Sequence, residues 1–211
     1  MRQNYYKKRI DKYDVISFDI FDTLLTRLVD FPTDIFDLVG EKTNNKSFKE
    51  LRIKAEHEAR QKSVNGEVNL DDIYIFMPSE LKELKQIELD TELNCAAPIL
   101  EMDNMFRYAI DEGKKVFIIS DMYLPGNHIR RMLKKCGLPL DNVKIYISNE
   151  SGANKITGKL FECAIRDNHI NRANMIHFGD SLKADVLGAR KAGIKFGFVA
   201  RKNRIRRMLN R

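Results

Sequence analysis

The chain has 211 residues, and its 37 Lys and Arg residues outnumber 30 Asp and Glu, for a formal net charge of +7. A hydrophobic fraction of 43% with a charged fraction of 32% excludes a disordered tail, a collagen-like repeat and a small disulfide scaffold. The length suits one domain, or one domain with a smaller insertion. All apolar runs are short, so no transmembrane segment is predicted.

The positive charge lies at the two ends of the chain. Residues 1–13 carry a net +4 and residues 201–211 a net +6, which leaves −3 for residues 14–200. Because the body is mildly acidic and has no basic stripe interleaved with aromatic residues, nucleic acid is not the expected partner. We predict that the two basic terminal segments serve an adjoining domain, a partner or an anionic surface.

The cysteines and the N-terminus indicate a cytoplasmic protein. Cys95, Cys136 and Cys163 are odd in number, far apart and without a CxxC pair, which is typical of reduced thiols. The basic N-terminus lacks the apolar stretch of a secretory signal.

Five short apolar runs have the composition of β-strands. They cover residues 15–18, 116–119, 143–147, 175–178 and 196–199. Helix-like stretches precede or separate the later ones, at roughly 101–112, 127–136, 158–168 and 182–192. Continuous apolar strands that alternate with helices predict an α/β fold, with a Rossmann-like, doubly wound parallel sheet of five strands.

Residues 28–98 interrupt this alternation after the first strand. Phe48, Leu51 and Ala55 have helical spacing, and the stretch is too long for an ordinary crossover. We therefore predict a helical cap over residues 28–98. It is inserted near the carboxyl end of strand one, where open α/β sheets bind ligands, into a core of residues 14–27 and 99–200.

Polar residues follow the predicted strands at four places in the chain. In chain order they are Asp19, Ser120, Lys155 or Lys159, and Asp180 with Asp185. Carboxylate oxygens suit Mg²⁺, and a strand-end hydroxyl followed by backbone N–H groups suits an anion. Taken singly, each has an ordinary structural explanation, such as a turn cap for Asp19 or a solvated surface position for a lysine.

Taken together, these residues resemble the four motifs of the haloacid dehalogenase (HAD) superfamily over roughly residues 14–200. The four segments, in motif order, are FDIFDTLL, VFIISDM, KITGKLF and HFGDSLKAD. The third alignment selects Lys155 over Lys159, and the insertion resembles a helical C1-type cap. SFDIFDTLLTR, LDDIY, SDMYLPG and TGKLF also resemble a group of HAD hydrolases found near or fused to glycosyltransferases of surface-polysaccharide synthesis, which implies a glycosyltransferase domain or partner.

The resemblance implies a Mg²⁺-dependent phosphohydrolase acting on a small phosphorylated metabolite, such as a sugar phosphate or a nucleotide-linked sugar. Asp19 is then the nucleophile that forms an aspartyl-phosphate intermediate. Ser120 and the N–H of Asp121 hold phosphate oxygens, and Lys155 offsets the charge on Asp19 and the phosphoryl group.

The same resemblance implies a metal site. Asp19, Asp180 and the main-chain carbonyl of Phe21 are its expected ligands. Asp185 supports Lys155 or a metal-bound water, and so contributes to the metal site indirectly.

Phe21 departs from the pattern of HAD phosphatases. Its position normally holds a second Asp that protonates the leaving group, a function typically worth ~10²–10⁴-fold in rate. Three alternatives follow. Asp22 or a cap residue replaces that acid, or the leaving group needs no acid, as in an acyl phosphate or a nucleotide diphosphate. In the third alternative, the domain is a binding or regulatory module with little turnover. A 2-haloacid dehalogenase also lacks the second Asp, but it needs no metal, and the pair of Asp180 and Asp185 favours phosphate.

Further residues near these motifs are expected to contact substrate, namely Phe21, Thr23, Arg27, Asp121 and Met122. Arg27 has the alternative of a solvated hinge residue. Arg52, Glu56 and Arg60 share one helical face and either line the site or form a surface ion-pair ladder, which is favoured. Tyr123 and His128 follow motif two and are predicted to border the leaving group.

Overall fold

The computed structural model describes residues 2–200, and a five-stranded parallel sheet forms its centre. The strands are β1 (Val15–Phe18), β4 (Lys115–Ser120), β5 (Lys144–Ile147), β6 (Met175–Gly179) and β7 (Lys195–Phe198). Their order is β5-β4-β1-β6-β7 and every pairing is parallel. The prediction of a Rossmann-like α/β sheet with five core strands is therefore confirmed.

Strand β1 lies at the centre of the sheet, where the order of strands reverses. The chain proceeds from β1 to β4 and β5 on one side, and then to β6 and β7 on the other. Loops that follow β4 and β6 must therefore diverge beside the end of β1, and they leave a crevice there.

Helices cover both faces of the sheet because neighbouring strand residues point to opposite sides. The helices of the core are α6 (Leu100–Asp111), α7 (Gly126–Lys135), the single turn α8 (Ser148–Ser151) and α9 (Lys159–Asp167). A π-helical turn over Leu182–Leu187 then continues into α10 (Gly188–Lys191). Ile16 and Phe18 pack in the larger apolar cluster with α6 and α7. Val15 and Phe117 pack in the smaller one with α9 and α10.

The basic N-terminal segment contributes a helix, α1 (Arg2–Ile10), to the core. Tyr6 and Ile10 are buried, and the Tyr6 ring packs edge-on against Phe178 with 5.8 Å between ring centroids. Residues 201–211, predicted to be the second basic segment, lie outside the described residues.

The insertion after β1 is helical. It contains α2 (Asp34–Lys42), α3 (Phe48–Lys62), α4 (Leu70–Ile75), a 3₁₀ turn over Ser79–Leu84 and α5 (Lys85–Cys95). The two chain crossings between core and cap pair as short antiparallel strands, β2 (Leu25–Arg27) and β3 (Ala96–Pro98), which the sequence did not predict. Buried residues of cap and core belong to one hydrophobic cluster.

Two smaller expectations concern the cysteines and membrane spans. Cys95, Cys136 and Cys163 are free thiols, each half-buried. Between residues 2 and 200, no helix has the length and apolarity needed to cross a bilayer.

Candidate active site

The sheet brings three of the predicted site residues to one edge. Asp19 directly follows β1, Ser120 ends β4 and Asp180 directly follows β6, and β1 pairs with both of the other strands. The Asp19 N–H donates to the Phe178 carbonyl at 2.9 Å, which extends the hydrogen-bond ladder to Asp19. All three side chains are buried, with exposed fractions of 7%, 2% and 3% in that order.

Lys155 reaches this edge from the loop before α9. Its Nζ lies 2.6 Å from Asp19 Oδ1 and 2.5 Å from Asp185 Oδ1. Burial by itself lowers the pKa of the Lys155 ammonium, but Asp19 and Asp185 outweigh it and raise that pKa above its ordinary value. Burial raises the pKa of Asp19, and Lys155 opposes that rise. Lys155 is therefore a cation clamped between two carboxyl groups.

The backbone of Lys155 is fixed from two sides. Its N–H donates to Asp121 Oδ1 at 2.8 Å, which ties the loop of Lys155 to the end of β4. Burial raises the pKa of Asp121 to about 6, despite the opposing effect of Lys155. On the other side, a Cβ at Gly188 would lie 2.0 Å from the Lys155 carbonyl oxygen, so this close approach requires glycine.

Asp185 accepts hydrogen bonds from three directions. Besides Lys155, the Ser181 N–H donates to its Oδ2 at 2.8 Å, and His177 Nε2 lies 3.1 Å from its Oδ1. Although burial raises the pKa of Asp185, Lys155 and His177 more than offset this and leave it below its usual range. A Cβ at Gly179 would lie 2.2 Å from Asp185 Cγ, so the carboxylate can pack this closely against β6 only because residue 179 is glycine.

Sequence reasoning missed His177 and its partner Ser17. Ser17 Oγ lies 2.9 Å from His177 Nδ1, and both residues are fully buried. A signal was available, since each is a polar residue inside an otherwise apolar strand, and each stands two residues before the strand-end Asp19 or Gly179.

The carboxyl groups at this edge fit a divalent cation. Ligand oxygens of Asp19, Asp180 and Asp185 lie within 4.8 Å of one another, and all three residues are buried. Mg²⁺ prefers such hard oxygen donors. Asp185 already accepts from Lys155, His177 and the Ser181 N–H, and Asp19 accepts from Lys155.

Phe21 and Arg27 form a contact beside Asp19. The Arg27 guanidinium carbon lies 3.8 Å from the centre of the Phe21 ring, and its Nε and Nη2 donate to Glu92 at 2.7 and 3.1 Å. The Arg27 side chain is only 10% exposed, so it is not a solvated hinge residue. Asp22, at the next position, has a left-handed backbone with φ of 58° and is half-buried.

The predicted ladder on α3 is buried at one end. Arg52 is fully buried and donates to Glu88 at 2.8 and 2.9 Å and to Glu56 at 3.1 Å. Arg60 bonds Glu56 from the other side and has a 40% exposed side chain. The expectation of a surface ladder is thus wrong for Arg52. Its guanidinium lies 4.9 Å from the Tyr123 ring, at the junction of cap and core.

Thr23, Met122 and His128 are the remaining predicted residues. Thr23 is buried, and its hydroxyl has no hydrogen-bond partner among residues 2–200. The N–H of Met122 donates to Ser148 Oγ at 3.1 Å. His128 is buried where α7 packs against α5, so it lies at the cap, and its Nε2 has no hydrogen-bond partner among the described residues.

The chain matches a known protein family. The sequence model of the haloacid dehalogenase-like hydrolases matches residues 14–199. A comparison with curated proteins found no match.

Solved structures share the fold at low sequence identity. YfnB of Bacillus subtilis, a HAD-hydrolase solved with bound magnesium, is 17% identical, with a TM-score of 0.67 over 95% of this chain and 100% of that one. A HAD phosphatase of Thermococcus onnurineus is 21% identical, with a TM-score of 0.62 over 90% and 87%. A 2-haloacid dehalogenase of Pseudomonas syringae pv. Tomato is 14% identical, with a TM-score of 0.64 over 88% and 86%.

The family match spans nearly the whole described chain, and the fold of these structures agrees with it. The chain therefore belongs to the haloacid dehalogenase-like hydrolases.

Proposed function

We propose that the protein is a Mg²⁺-dependent phosphohydrolase that acts on a small phosphorylated metabolite, such as a sugar phosphate or a nucleotide-linked sugar. The observation that carries the proposal is the contact of Lys155 Nζ with Asp19 and Asp185, beside the buried Asp180. A dehalogenase attacks carbon and has no need of several carboxylates around its nucleophile. The phosphatase of Thermococcus onnurineus and the magnesium-bound YfnB share the fold and are consistent with phosphate chemistry.

Asp19 is the nucleophile in this proposal. Its carboxylate oxygen attacks phosphorus, the bond from phosphorus to the leaving oxygen breaks, and an aspartyl phosphate forms. Water then attacks the same phosphorus, which releases inorganic phosphate and restores the carboxylate. Lys155 holds Asp19 Oδ1 at 2.6 Å and offsets negative charge as the two anions approach.

The phosphoryl oxygens bind at the end of β4. Ser120 Oγ and the N–H of Asp121 are the donors, and the Asp121 carboxylate keeps that loop against Lys155 through the 2.8 Å bond to its N–H. Asp19, Asp180 and the carbonyl of Phe21 hold Mg²⁺, with Asp185 in support through Lys155. When bound, Mg²⁺ offsets the negative charge of carboxylate and phosphate.

The ring of Phe21 sets a limit on the leaving group. A phenyl ring transfers no proton, and this ring is covered by Arg27. Hydrolysis of a sugar phosphate therefore requires Asp22 or a cap residue as the proton donor, whereas an acyl phosphate or a nucleotide diphosphate requires none. Thr23, Arg27, Met122 and Tyr123 surround the leaving group in this proposal.

The cellular setting is part of the proposal as well. The resemblance of the segments SFDIFDTLLTR and SDMYLPG to glycosyltransferase-associated hydrolases supports a cytoplasmic role beside a glycosyltransferase domain or partner.

The test measures phosphate release from a panel of sugar phosphates, nucleotide sugars, nucleotide diphosphates and acyl phosphates, with and without Mg²⁺. Asp19→Asn is the matched control, because it retains the side-chain size and removes the nucleophile. We expect release that requires both Mg²⁺ and Asp19. Release that persists in Asp19→Asn, or none from any substrate, would contradict the proposal.

A second function is favoured by the Phe21 contact alone. A site that has lost its proton donor and stacks an arginine in its place is also consistent with a binding or regulatory domain that turns over little. Phe21→Asp separates the two. If this variant creates phosphatase activity where the natural chain has none, the natural domain binds rather than catalyses. High activity of the natural chain excludes the second function.

A further inference from the structure

We propose that Ser17 and His177 are positioning residues, which form a buried hydrogen-bonded chain to Asp185 and thereby fix Lys155 against Asp19. This inference rests on the proposed function, in which Lys155 assists Asp19. It adds two residues of the sheet to the site.

The chain of contacts is continuous. Ser17 Oγ lies 2.9 Å from His177 Nδ1, His177 Nε2 lies 3.1 Å from Asp185 Oδ1, and the same oxygen lies 2.5 Å from Lys155 Nζ. Ser17 and His177 are both 0% exposed. They are also direct partners in the pairing of β1 with β6, so their side chains leave the sheet on the same face and side by side.

Chemistry fixes the direction of these hydrogen bonds. An ionised Asp185 only accepts, so His177 Nε2 carries the proton and donates to it. A buried imidazole near the Lys155 ammonium is neutral, which leaves Nδ1 as an acceptor. Asp185 thus fixes the tautomer of His177, and the Ser17 hydroxyl complements it by donating to Nδ1.

The ring of His177 is also held by an aromatic contact. It packs edge-on against Phe161 at the start of α9, with 4.8 Å between ring centroids. Phe161 follows Lys155 along the same loop and helix, so the ring that orients Asp185 is itself held by the segment that carries the lysine.

Without His177, Lys155 would be the one remaining donor to Asp185 Oδ1 among residues 2–200. The Ser181 N–H would still hold Oδ2, but Oδ1 could turn about that contact toward Lys155 and draw Nζ away from Asp19. An apolar residue would pack at this position in the strand, but it would not hold that carboxylate. Replacing a residue that orients the polar side chains of a site in this way typically lowers activity about 10–100-fold.

Four variants separate positioning from packing. His177→Phe retains a ring without a donor, and His177→Gln places an amide donor near the position of Nε2. Ser17→Ala removes the hydroxyl that donates to Nδ1. Ile176→Val, at the next position of β6 and on the other face, is the control for a mild packing loss.

Activity is measured with p-nitrophenyl phosphate at saturating Mg²⁺, and each rate is corrected for the folded fraction. We expect kcat of His177→Phe to fall about tenfold or more with little change in KM. His177→Gln should recover most of the rate and Ser17→Ala should lose part of it. Ile176→Val should match the natural chain.

Crystal structures of the natural chain and the variants give a readout that needs no turnover. We expect Lys155 Nζ to contact both carboxylates in the natural chain, and to lose the Asp19 contact, or to divide between two positions, in His177→Phe. Unchanged Lys155 contacts together with an unchanged kcat would overturn the inference. If the natural chain hydrolyses nothing, the proposed function fails, and the position of Lys155 alone decides on Ser17 and His177. If His177→Phe does not fold, Ser17→Ala decides in the same way.

Discussion

The buried ion pair of Arg52 and Glu88 gives a sharp test of the cap. Arg52 is fully buried and makes two bonds to Glu88, which is also fully buried and otherwise accepts only from the Tyr74 hydroxyl at 2.8 Å among the residues that the structure describes. We expect Arg52→Met to retain the packing of the side-chain stem but to leave the Glu88 carboxylate buried without its cation.

The magnitude follows from burial. Removing one partner of a buried pair costs about 3–5 kcal/mol, whereas an exposed pair is worth about 0–1 kcal/mol. Arg60→Met is the matched control, because Arg60 bonds Glu56 on the same helix but has a 40% exposed side chain. The double variant Arg52→Met with Glu88→Gln should regain most of the loss, since no charge stays buried.

The assay is urea unfolding of the four proteins at neutral pH, followed by circular dichroism. The expected order of unfolding free energy puts the natural chain and Arg60→Met together, the double variant below them and Arg52→Met lowest. If Arg52→Met costs no more than Arg60→Met, the burial argument is refuted. If the double variant is less stable than Arg52→Met, the two side chains stabilise the cap by contacts other than the neutralisation of the buried Glu88 charge.

Three further predictions concern the site. Burial raises the pKa of Asp121 from 3.8 to about 6. Its protonated form therefore adds to the unfolding free energy below pH 3.8, and this contribution of up to about 3 kcal/mol is lost as the pH rises from 3.8 to about 6. Asp121→Asn still accepts from the Lys155 N–H but does not titrate, so its unfolding free energy should rise relative to that of the natural chain between these pH values and not above them. If urea titrations give the same difference in unfolding free energy at every pH, the prediction is contradicted. Asp22→Gly should raise the unfolding free energy by up to about 1 kcal/mol, because glycine adopts a φ of 58° without a Cβ penalty, and a loss of stability would count against the strained turn. Gly188→Ala should displace the Lys155 carbonyl, lower the unfolding free energy by about 1–3 kcal/mol and reduce Mg²⁺-dependent phosphate release; an unchanged variant in both assays would show that the backbone yields freely.

The sheet was predictable from sequence because its strands are short, apolar and separated by helices. The residue that follows each apolar run then lies at a known edge of the sheet, and for this reason the sequence alone predicts that Asp19, Ser120 and Asp180 lie together. The pairing of β2 with β3 was not predictable, since three-residue strands carry no periodicity.

The charged contacts of the cap were harder to foresee. The i,i+4 spacing of Arg52, Glu56 and Arg60 indicates a shared helix face, but it does not say whether that face is buried. The deciding partner of Arg52 is Glu88, which is 36 residues away on α5. In the same way, the contact of Ser17 with His177 spans 160 residues and depends on the register of β1 with β6.

The central claim is that Asp19 forms an aspartyl phosphate. The most direct measurement incubates the protein with acetyl phosphate and Mg²⁺, quenches it with borohydride, which reduces an acyl phosphate to the alcohol, and sequences the peptides by mass spectrometry. We expect homoserine at position 19 in the natural chain and none without Mg²⁺ or in Asp19→Asn. Phosphate release with an unmodified Asp19, or modification at another carboxylate alone, would contradict it.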